Sequence, residues 1–329
     1  MKNPWVLMLA AFLHPLAAFT AQAQSSSESR DAGAAYQLVV DNDLFAIRGP
    51  GKADDYDYSS GIRASVLRSV APRWGRRLMR ANRPCDVATE RARGCTMAAF
   101  EFSHRIYTPR PNSALPLPGE RPYAGLLQGS VELVRVTPGH SRLVALDAGV
   151  TGRLSLAEQL QNQLHRILDN TPRLGWDAQL PNAAAVSLRY AEGVRGQATH
   201  GRAFTAVDVK WGALAGNVTN AASAGAEFSA GIAGTLPWSP SEPRMEQPGQ
   251  LYVTVGYQQD AVLHNVLVEG RGTGPGGVRR PLVGQLEGGV GLRHRHFSAV
   301  YKHLIRGREY DAQLRRQSYG TIALSVNRF

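Results

Sequence analysis

The chain has 329 residues, a formal net charge of +11 and two cysteines. After residue 23 there is no run of eighteen or more apolar residues, which excludes a transmembrane helix in that part of the chain. The basic balance predicts an anionic partner. The signal sequence described next indicates export, and an exported chain rarely meets nucleic acid. The favoured anionic partner is therefore the phosphates of phospholipid or lipopolysaccharide.

The first residues are typical of a secretory signal. Lys2 gives the basic start, residues 6–18 the apolar core, and an A-x-A cleavage site ends at Ala23. The apolar stretch is too short and too interrupted to span a membrane as a helix. We therefore predict a signal peptide over 1–23 and one exported domain over 24–329.

The exported part consists of segments in which apolar and polar side chains alternate, as in β-strands. These segments are 36–46, 58–69, 96–107, 124–137, 142–152, 184–191, 202–213, 222–235, 250–264, 281–292, 296–305 and 318–329. Twelve is an even number, as bacterial outer-membrane barrels require, and a final Phe329 is typical of them. A soluble β-sandwich has the same period. Export and the strand number favour an all-β fold, a transmembrane antiparallel β-barrel of about twelve strands.

The alternation also predicts which side chains face lipid. In the segment 202–213, Val207 and Val209 alternate with Asp208 and Lys210. Charged side chains on the minority face are expected if that face lines a polar lumen and the other meets lipid.

The longest predicted extracellular loop, 153–183, carries a helical stretch over residues 154–168. Gln161 and His165 lie four residues apart, so one helical turn places both on the same face. A polar pair of this kind, in a loop between two strands of a membrane barrel, is hard to explain by packing. We therefore expect chemistry at this face.

Further polar segments are predicted to meet the helix at the outer end of the barrel. Asp41-Asn42-Asp43 ends the first strand, and residues 57–61 open the second. Histidine is the usual general base near neutral pH. Oxygen ligands such as Asn42 and Asp43 suit Ca²⁺, which polarises carbonyl groups. No GxSxG or HExxH motif points to a serine nucleophile or a zinc site.

The two cysteines, Cys85 and Cys95, lie close together in a polar segment. In an oxidising compartment this arrangement predicts a structural disulfide. Metal binding is disfavoured because neither a CxxC spacing nor a nearby histidine accompanies the pair.

Six blocks of sequence resemble the outer-membrane lipid A 3′-O-deacylase family, in the family's order and spacing from about residue 36 to residue 220. The blocks are Asp41-Asn42-Asp43-Leu44-Phe45, Tyr58-Ser59-Ser60-Gly61, Tyr107-Thr108-Pro109, Arg121-Pro122-Tyr123-Ala124-Gly125, Gln161-Asn162-Gln163-Leu164-His165 and Gly175-Trp176-Asp177-Ala178-Gln179-Leu180. Beyond that region the similarity is only of barrel type.

The resemblance implies a twelve-stranded barrel and a Ca²⁺-dependent hydrolase that removes the 3′-linked acyloxyacyl group of lipid A. The family's catalytic residues map onto Asn42, Asp43, Gln161 and His165. The family's threonine on the second strand becomes Ser59, which keeps the hydroxyl.

The chain departs from the family pattern at two positions. The family has an acidic residue six positions after the histidine, where this chain has Thr171, and Asp169 is the nearest replacement. A substrate-contacting lysine of the second outer loop has no clear counterpart, although Arg110 is a candidate. For Arg121 two roles stay open: binding lipid A phosphates, or a salt bridge that ties its loop to the barrel.

These residues predict a mechanism in which His165 takes a proton from water and Gln161 orients the water or the imidazole. Asp43, with backbone carbonyls, is expected to bind Ca²⁺, while Asn42 and Ser59 support the site. The expected location is the outer membrane of a Gram-negative cell, with the site toward the outer leaflet. Lipopolysaccharide is the expected substrate, without nucleic acid or an obligate protein partner.

Two other functions remain open at this point. One is an outer-membrane phospholipase, which also depends on Ca²⁺. The other is a porin or lipopolysaccharide-binding barrel without enzymatic activity.

Overall fold

The computed structural model describes residues 34–47, 56–69, 71–80, 94–110, 112–232, 250–272, 274–294 and 297–328. The predicted signal peptide and Phe329 lie outside the described residues. So does Cys85, whereas Cys95 is described and is disulfide-bonded.

Twelve antiparallel strands close into one barrel, which confirms the predicted fold. They are β1 (Ala34–Asn42), β2 (Asp57–Arg68), β3 (Cys95–Thr108), β4 (Ala124–Thr137), β5 (His140–Thr151), β6 (Ala183–His200), β7 (Ala203–Gly216), β8 (Thr219–Ile232), β9 (Gln250–Asn265), β10 (Leu282–His294), β11 (Phe297–Arg306) and β12 (Gln317–Arg328). Each strand pairs with its neighbours in chain order, and β1 closes the sheet by pairing with β12.

The alternation assigns the two faces of the sheet as expected. Val207 and Val209 are exposed on the outside, whereas Asp208 between them is buried. Inside the barrel, Lys302 forms ion pairs with Glu227 and Glu287. Charged groups therefore line the lumen in compensating pairs, and the apolar side chains form the outer surface.

The largest difference from the predicted strands is at β6, which was expected over 184–191 and continues to His200. Beyond Val194, β6 has no partner on β5 and pairs with β7 alone. This part of β6 extends past its neighbour, and residues 196–200 are exposed on both of its faces. Because neither face needs to be apolar there, the alternation that marks a strand disappears.

In the described part of the chain, three short helices and three 3₁₀ turns connect the strands. The helices are α1 (Arg73–Leu78), α2 (Ala157–Ile167) and α3 (Val266–Glu269), and the turns are η1 (Asp43–Phe45), η2 (Gly152–Ser155) and η3 (Gly175–Ala178). The helix predicted over 154–168 is thus present as η2 followed by α2. No helix in the described part of the chain is long and apolar enough to cross a membrane.

The end of the barrel at which β1 ends and β2 begins carries most of these elements, and we call it the site end. Five of the six elements connect strands there: η1, η2, α2, η3 and α3. The predicted meeting of polar segments from distant parts of the chain at one end of the barrel is confirmed by this topology.

Candidate active site

The first site segment is the turn η1, which follows β1 directly. The Asn42 side chain caps this turn, because its Oδ1 accepts a hydrogen bond from the Leu44 amide at 2.8 Å. Asparagine is among the best residues for this role. The capped turn buries the Asp43 side chain, which is only 3% exposed. Asn42 thus serves the turn, and Asp43 is the buried carboxylate.

Contacts from the far end of the chain hold η1 in place. The Tyr301 hydroxyl donates a hydrogen bond to the Phe45 carbonyl at 2.7 Å, and the Ile47 amide donates to His303 Nδ1 at 3.1 Å. Gly320 on β12 lies so close that a Cβ there would overlap the Phe45 carbonyl. The position of Asp43 therefore depends on barrel closure.

Ser59 lies on β2 at an irregularity in the sheet. The register between β2 and β3 shifts between Tyr58 and Ser60, which marks a β-bulge. Bulges reorient side chains and are frequent next to active sites. The buried Ser59 hydroxyl lies 2.7 Å from the Thr108 hydroxyl on β3. This pair joins the two strands at the site end.

The helix α2 presents Gln161 and His165 on its buried face. These side chains are 3% and 8% exposed, whereas Gln163 on the opposite face is exposed. A Cβ on Gly125 of β4 would overlap Ser155 and Ala157, so glycine permits the close approach of the helix. The predicted shared face is therefore turned toward the barrel.

An aromatic cluster fixes the same helix against the barrel. Ile106, Tyr123, Ala157 and Trp176 form one buried group, with Leu160 packed against it. The rings of Tyr123 and Trp176 lie 5.2 Å apart between centroids. This packing gives the family's tryptophan block a structural role that sequence reasoning did not assign.

The imidazole of His165 is oriented by a backbone group. Its Nδ1 lies 2.7 Å from the carbonyl oxygen of Thr171. Because a carbonyl oxygen only accepts hydrogen bonds, Nδ1 carries the proton and donates. In the neutral ring Nε2 then holds the lone pair. This is the tautomer that a general base requires.

Two asparagines hold the segment that contains Thr171. The Asn162 side chain accepts a hydrogen bond from the Arg173 amide at 2.9 Å. Asn112 donates to the Pro172 carbonyl at 3.1 Å and accepts from the Leu174 amide at 2.9 Å. These contacts hold residues 172–174, directly after the Thr171 carbonyl that accepts the His165 proton.

Thr171 stands six positions after His165, where the family has an acidic residue. Asp169, the proposed replacement, is exposed and its φ is 58°. Its carboxylate forms no hydrogen bond or ion pair with the described part of the chain. Asp169 therefore does not contact His165, and the carbonyl of Thr171 does so instead.

The donor chemistry near Asp43 bears on metal binding. Ca²⁺ takes six to eight oxygen ligands, while histidine and cysteine suit other metals. Among the described residues, no group of three or more His, Cys, Asp or Glu side chains is arranged to bind a metal ion. The oxygen-rich turn fits Ca²⁺ only if Asp43 is joined by backbone carbonyls and water.

Of the two roles left open for Arg121, the structure shows the second, a salt bridge that ties its loop to the barrel. Its side chain is fully buried and lies 3.0 Å from Glu309 and 3.8 Å from Asp57. It also donates to the Leu267 carbonyl at 3.1 Å and stacks over the Tyr107 ring. The guanidinium is therefore engaged by the protein itself, and substrate phosphates do not reach it.

The buried charges of this cluster reinforce one another. Burial opposes the charge of Arg121, but Glu309 and Asp57 outweigh it and raise the pKa of the guanidinium. Burial likewise opposes ionisation of Glu309, but Arg306 and Arg121 outweigh it and lower the pKa of that carboxyl. Both groups therefore stay ionised at neutral pH.

Sequence reasoning missed the loop that completes this cluster. The Tyr310 hydroxyl lies 2.7 Å from a carboxylate oxygen of Asp57 and 2.8 Å from one of Glu120, so its single proton is shared between the two acceptors. Gln313 donates to the second Asp57 oxygen at 2.9 Å. No sequence motif marks these residues, because their partners lie about 190 to 256 positions away along the chain.

Arg110 differs from Arg121 in being exposed. Its guanidinium carbon lies 6.0 Å from the centre of the Tyr56 ring at the site end. This position leaves its guanidinium exposed at the site end.

The fold is a closed twelve-stranded barrel, which is the architecture of outer-membrane β-barrel proteins. One end of this barrel carries a buried His–Gln pair and a buried carboxylate. The family model for outer membrane protein LpxR matches residues 6–328, so the chain belongs to the LpxR family. This confirms the resemblance to the lipid A 3′-O-deacylase family.

A solved structure shows the same fold. LpxR from Salmonella typhimurium superimposes with a TM-score of 0.72 at 17% identity, covering 89% of this chain and 99% of that chain. The β-domain of the Bordetella autotransporter BrkA reaches only 0.46 at 11% identity, covering 91% and 99%. No curated protein sequence matches the chain.

Replacing Arg121 with methionine is expected to destabilise the barrel by about 3 kcal/mol, because Asp57 loses its buried cation. Urea unfolding in detergent, followed by the heat-modifiable gel shift, measures the change. Arg110→Met is the matched control and should stay within about 0.5 kcal/mol of the parent. Equal stabilities of the two variants would show that the buried cluster is not stabilising.

Proposed function

We propose that this protein is a Ca²⁺-dependent lipid A deacylase that hydrolyses the 3′-linked acyloxyacyl ester. The observation that carries the proposal is the hydrogen bond from His165 to the Thr171 carbonyl, which leaves Nε2 as the basic nitrogen. Membership of the LpxR family supports the substrate class. It also favours deacylation over phospholipase activity or a passive barrel.

In the proposed reaction, His165 Nε2 takes a proton from water as the water oxygen attacks the ester carbonyl carbon. The bond between that carbon and the sugar 3′ oxygen then breaks. The imidazolium returns its proton to the departing oxygen, which leaves a free 3′ hydroxyl and a fatty acid. Donation by Nδ1 to Thr171 stabilises the imidazolium while it carries the second proton.

Gln161 lies one helical turn from His165 on the same buried face. We assign its amide the role of orienting the attacking water. A side-chain amide both donates and accepts hydrogen bonds, so it can hold a water with a lone pair toward the ester and a proton toward Nε2.

Asp43, with backbone carbonyls, is the proposed Ca²⁺ ligand. When bound, Ca²⁺ would stabilise the negative charge that develops on the ester oxygen. Asn42 keeps the turn that presents Asp43, and the Ser59–Thr108 pair keeps β2 and β3 together beside it. Hydroxyl groups there can donate hydrogen bonds to the same charge.

Lipopolysaccharide lies in the outer leaflet, so we propose that the site end faces the cell exterior. The exposed Arg110 at that end is suited to bind a lipid A phosphate, since guanidinium–phosphate contacts are charge-assisted. No obligate protein partner is needed for this chemistry.

His165→Ala should lower deacylation by about 10²- to 10⁴-fold, the range for loss of a general base, without unfolding the barrel. Mass spectrometry of lipid A from expressing cells measures the loss of acyl chains. Thr171→Ala is the informative control, because the carbonyl acceptor belongs to the backbone and activity should persist. Full activity of His165→Ala would rule out the proposed base, and released lysophospholipid would indicate a phospholipase.

Gln161→Ala should reduce the rate by about 10²-fold, as expected when a reacting group loses its orientation. Gln163→Ala removes the same side chain from the exposed face of the same helix and should leave the rate unchanged. The initial rates of both purified variants on lipid A are the measurement. A similar loss in both variants would show that helix stability, and not orientation of the water, explains the effect.

Chelation should abolish deacylation, and added Ca²⁺ should restore it, because Asp43 and neutral carbonyls do not supply the positive charge themselves. Asp43→Asn should raise the Ca²⁺ concentration that gives half-maximal activity by roughly tenfold or more, since one charged ligand is lost. Asp177→Asn, at an exposed position, is the control. Activity that is insensitive to chelator would exclude the metal.

A further inference from the structure

A pocket of about 450 Å³ lies at the site end, where β10 begins and the 307–316 segment between β11 and β12 passes. Four arginines and two leucines contribute to its lining. These residues are Arg280, Leu282, Arg308, Leu314, Arg315 and Arg316. The volume falls within the range of small-ligand sites.

The pocket opens toward the outside of the barrel. On β10, Gln285 and Glu287 face the lumen, where they contact Arg306 and Lys302. Side chains of even number therefore point outward, and Leu286 and Leu292 are exposed among them. Leu282 continues this outward row up to the pocket.

The pocket carries an excess of positive charge. Arg280 pairs with Asp311 at 3.1 Å, and Arg315 donates to the Tyr56 hydroxyl at 2.6 Å. Arg308 and Arg316 form no hydrogen bond or ion pair through their side chains with the described residues. Among the described residues, Arg308 and Arg316 thus give the pocket two positive charges that no carboxylate compensates.

Such a cluster is unfavourable without an anion, because like charges repel in a confined space. Guanidinium groups bind phosphate through paired hydrogen bonds. A phosphate monoester carries nearly two negative charges at neutral pH, compared with one for a phosphodiester. The charge of the pocket therefore favours a monoester.

The two leucines indicate that the anion carries an acyl chain. Leu282 is 64% exposed and Leu314 is 66% exposed, and both flank the arginines. An alkyl chain that leaves the pocket along β10 would cover Leu282 and continue over Leu286, which faces the same way.

We propose that this arginine pocket binds the phosphate monoester headgroup of a membrane lipid, with an acyl chain along the outward face of β10. The site is separate from the His165 face, and binding there requires no turnover. The proposal thus goes beyond deacylation. A lipid held here would lie against the barrel wall at the site end, which also carries the candidate active site.

The test is the affinity of the purified full-length barrel in neutral detergent for bisphosphorylated lipid A. Arg308→Gln with Arg316→Gln should weaken binding at least tenfold, since two charge-assisted contacts are lost. Arg153→Gln with Arg202→Gln removes two charges outside the pocket and should leave the affinity unchanged. We call the protein with Arg308→Gln and Arg316→Gln the pocket variant. Dephosphorylated lipid A should bind to the parent about as weakly as phosphorylated lipid A binds to the pocket variant.

Two further ligands distinguish the source of the phosphate. Phosphatidylglycerol, a diester, and inorganic phosphate should both bind more weakly than lipid A. Equal binding of phosphatidylglycerol would overturn the monoester assignment, and equal binding of inorganic phosphate would overturn the acyl contact. Unchanged affinity in the pocket variant would overturn the site itself.

The His165→Ala protein separates this proposal from the proposed function. It should bind lipid A with the affinity of the parent, because His165 lies outside the pocket. Loss of lipid A binding in the pocket variant, measured alongside intact deacylation of dissolved substrate, would support the pocket independently of the catalytic base.

Discussion

Pairing of the first strand with the last is the constraint on which the rest of this molecule depends. In a membrane each backbone amide and carbonyl must be satisfied within the protein, so the sheet must close. Asp41 near the end of β1 lies opposite both Gly61 and Thr321. The turn η1 therefore lies between the second strand and the twelfth. Asp43 owes its position to contacts that are separated from it by most of the chain.

Closure alone does not order the connecting segments, and the buried Arg121 cluster provides that order. One guanidinium joins β2, through Asp57, to the 307–316 segment, through Glu309, and to α3. Asp57 adopts a φ of 67°, which costs about 1–3 kcal/mol outside glycine and persists only where surrounding contacts enforce it. The hydrogen bonds from Tyr310 and Gln313 do so. These contacts join the connecting segments of the site end to one another, as catalysis by orientation would require.

The parts of this structure that sequence predicted are those that depend on local patterns. Strand alternation and the spacing of Gln161 and His165 reflect the geometry of a few consecutive residues, and all twelve strands and the helix were found. The extension of β6 escaped prediction because neither of its faces is buried. The role of the Thr171 carbonyl also escaped, since a backbone group has the same chemistry in every residue. The partners of Asp57 depend on the closed barrel and leave no local signature.

The distribution of charge connects these features to the membrane. Two half-buried cations of the described chain have carboxylate partners: Arg189 pairs with Glu132 and Asp147, and Arg306 pairs with Asp260 and Glu309. Each such pair is costly to desolvate and is tolerated because both partners are held in place. Arg308 and Arg316, in contrast, lie beside an outward apolar row and have no carboxylate partner among the described residues. Their positive charge at the site end is therefore available to the surface where an anionic lipid would lie.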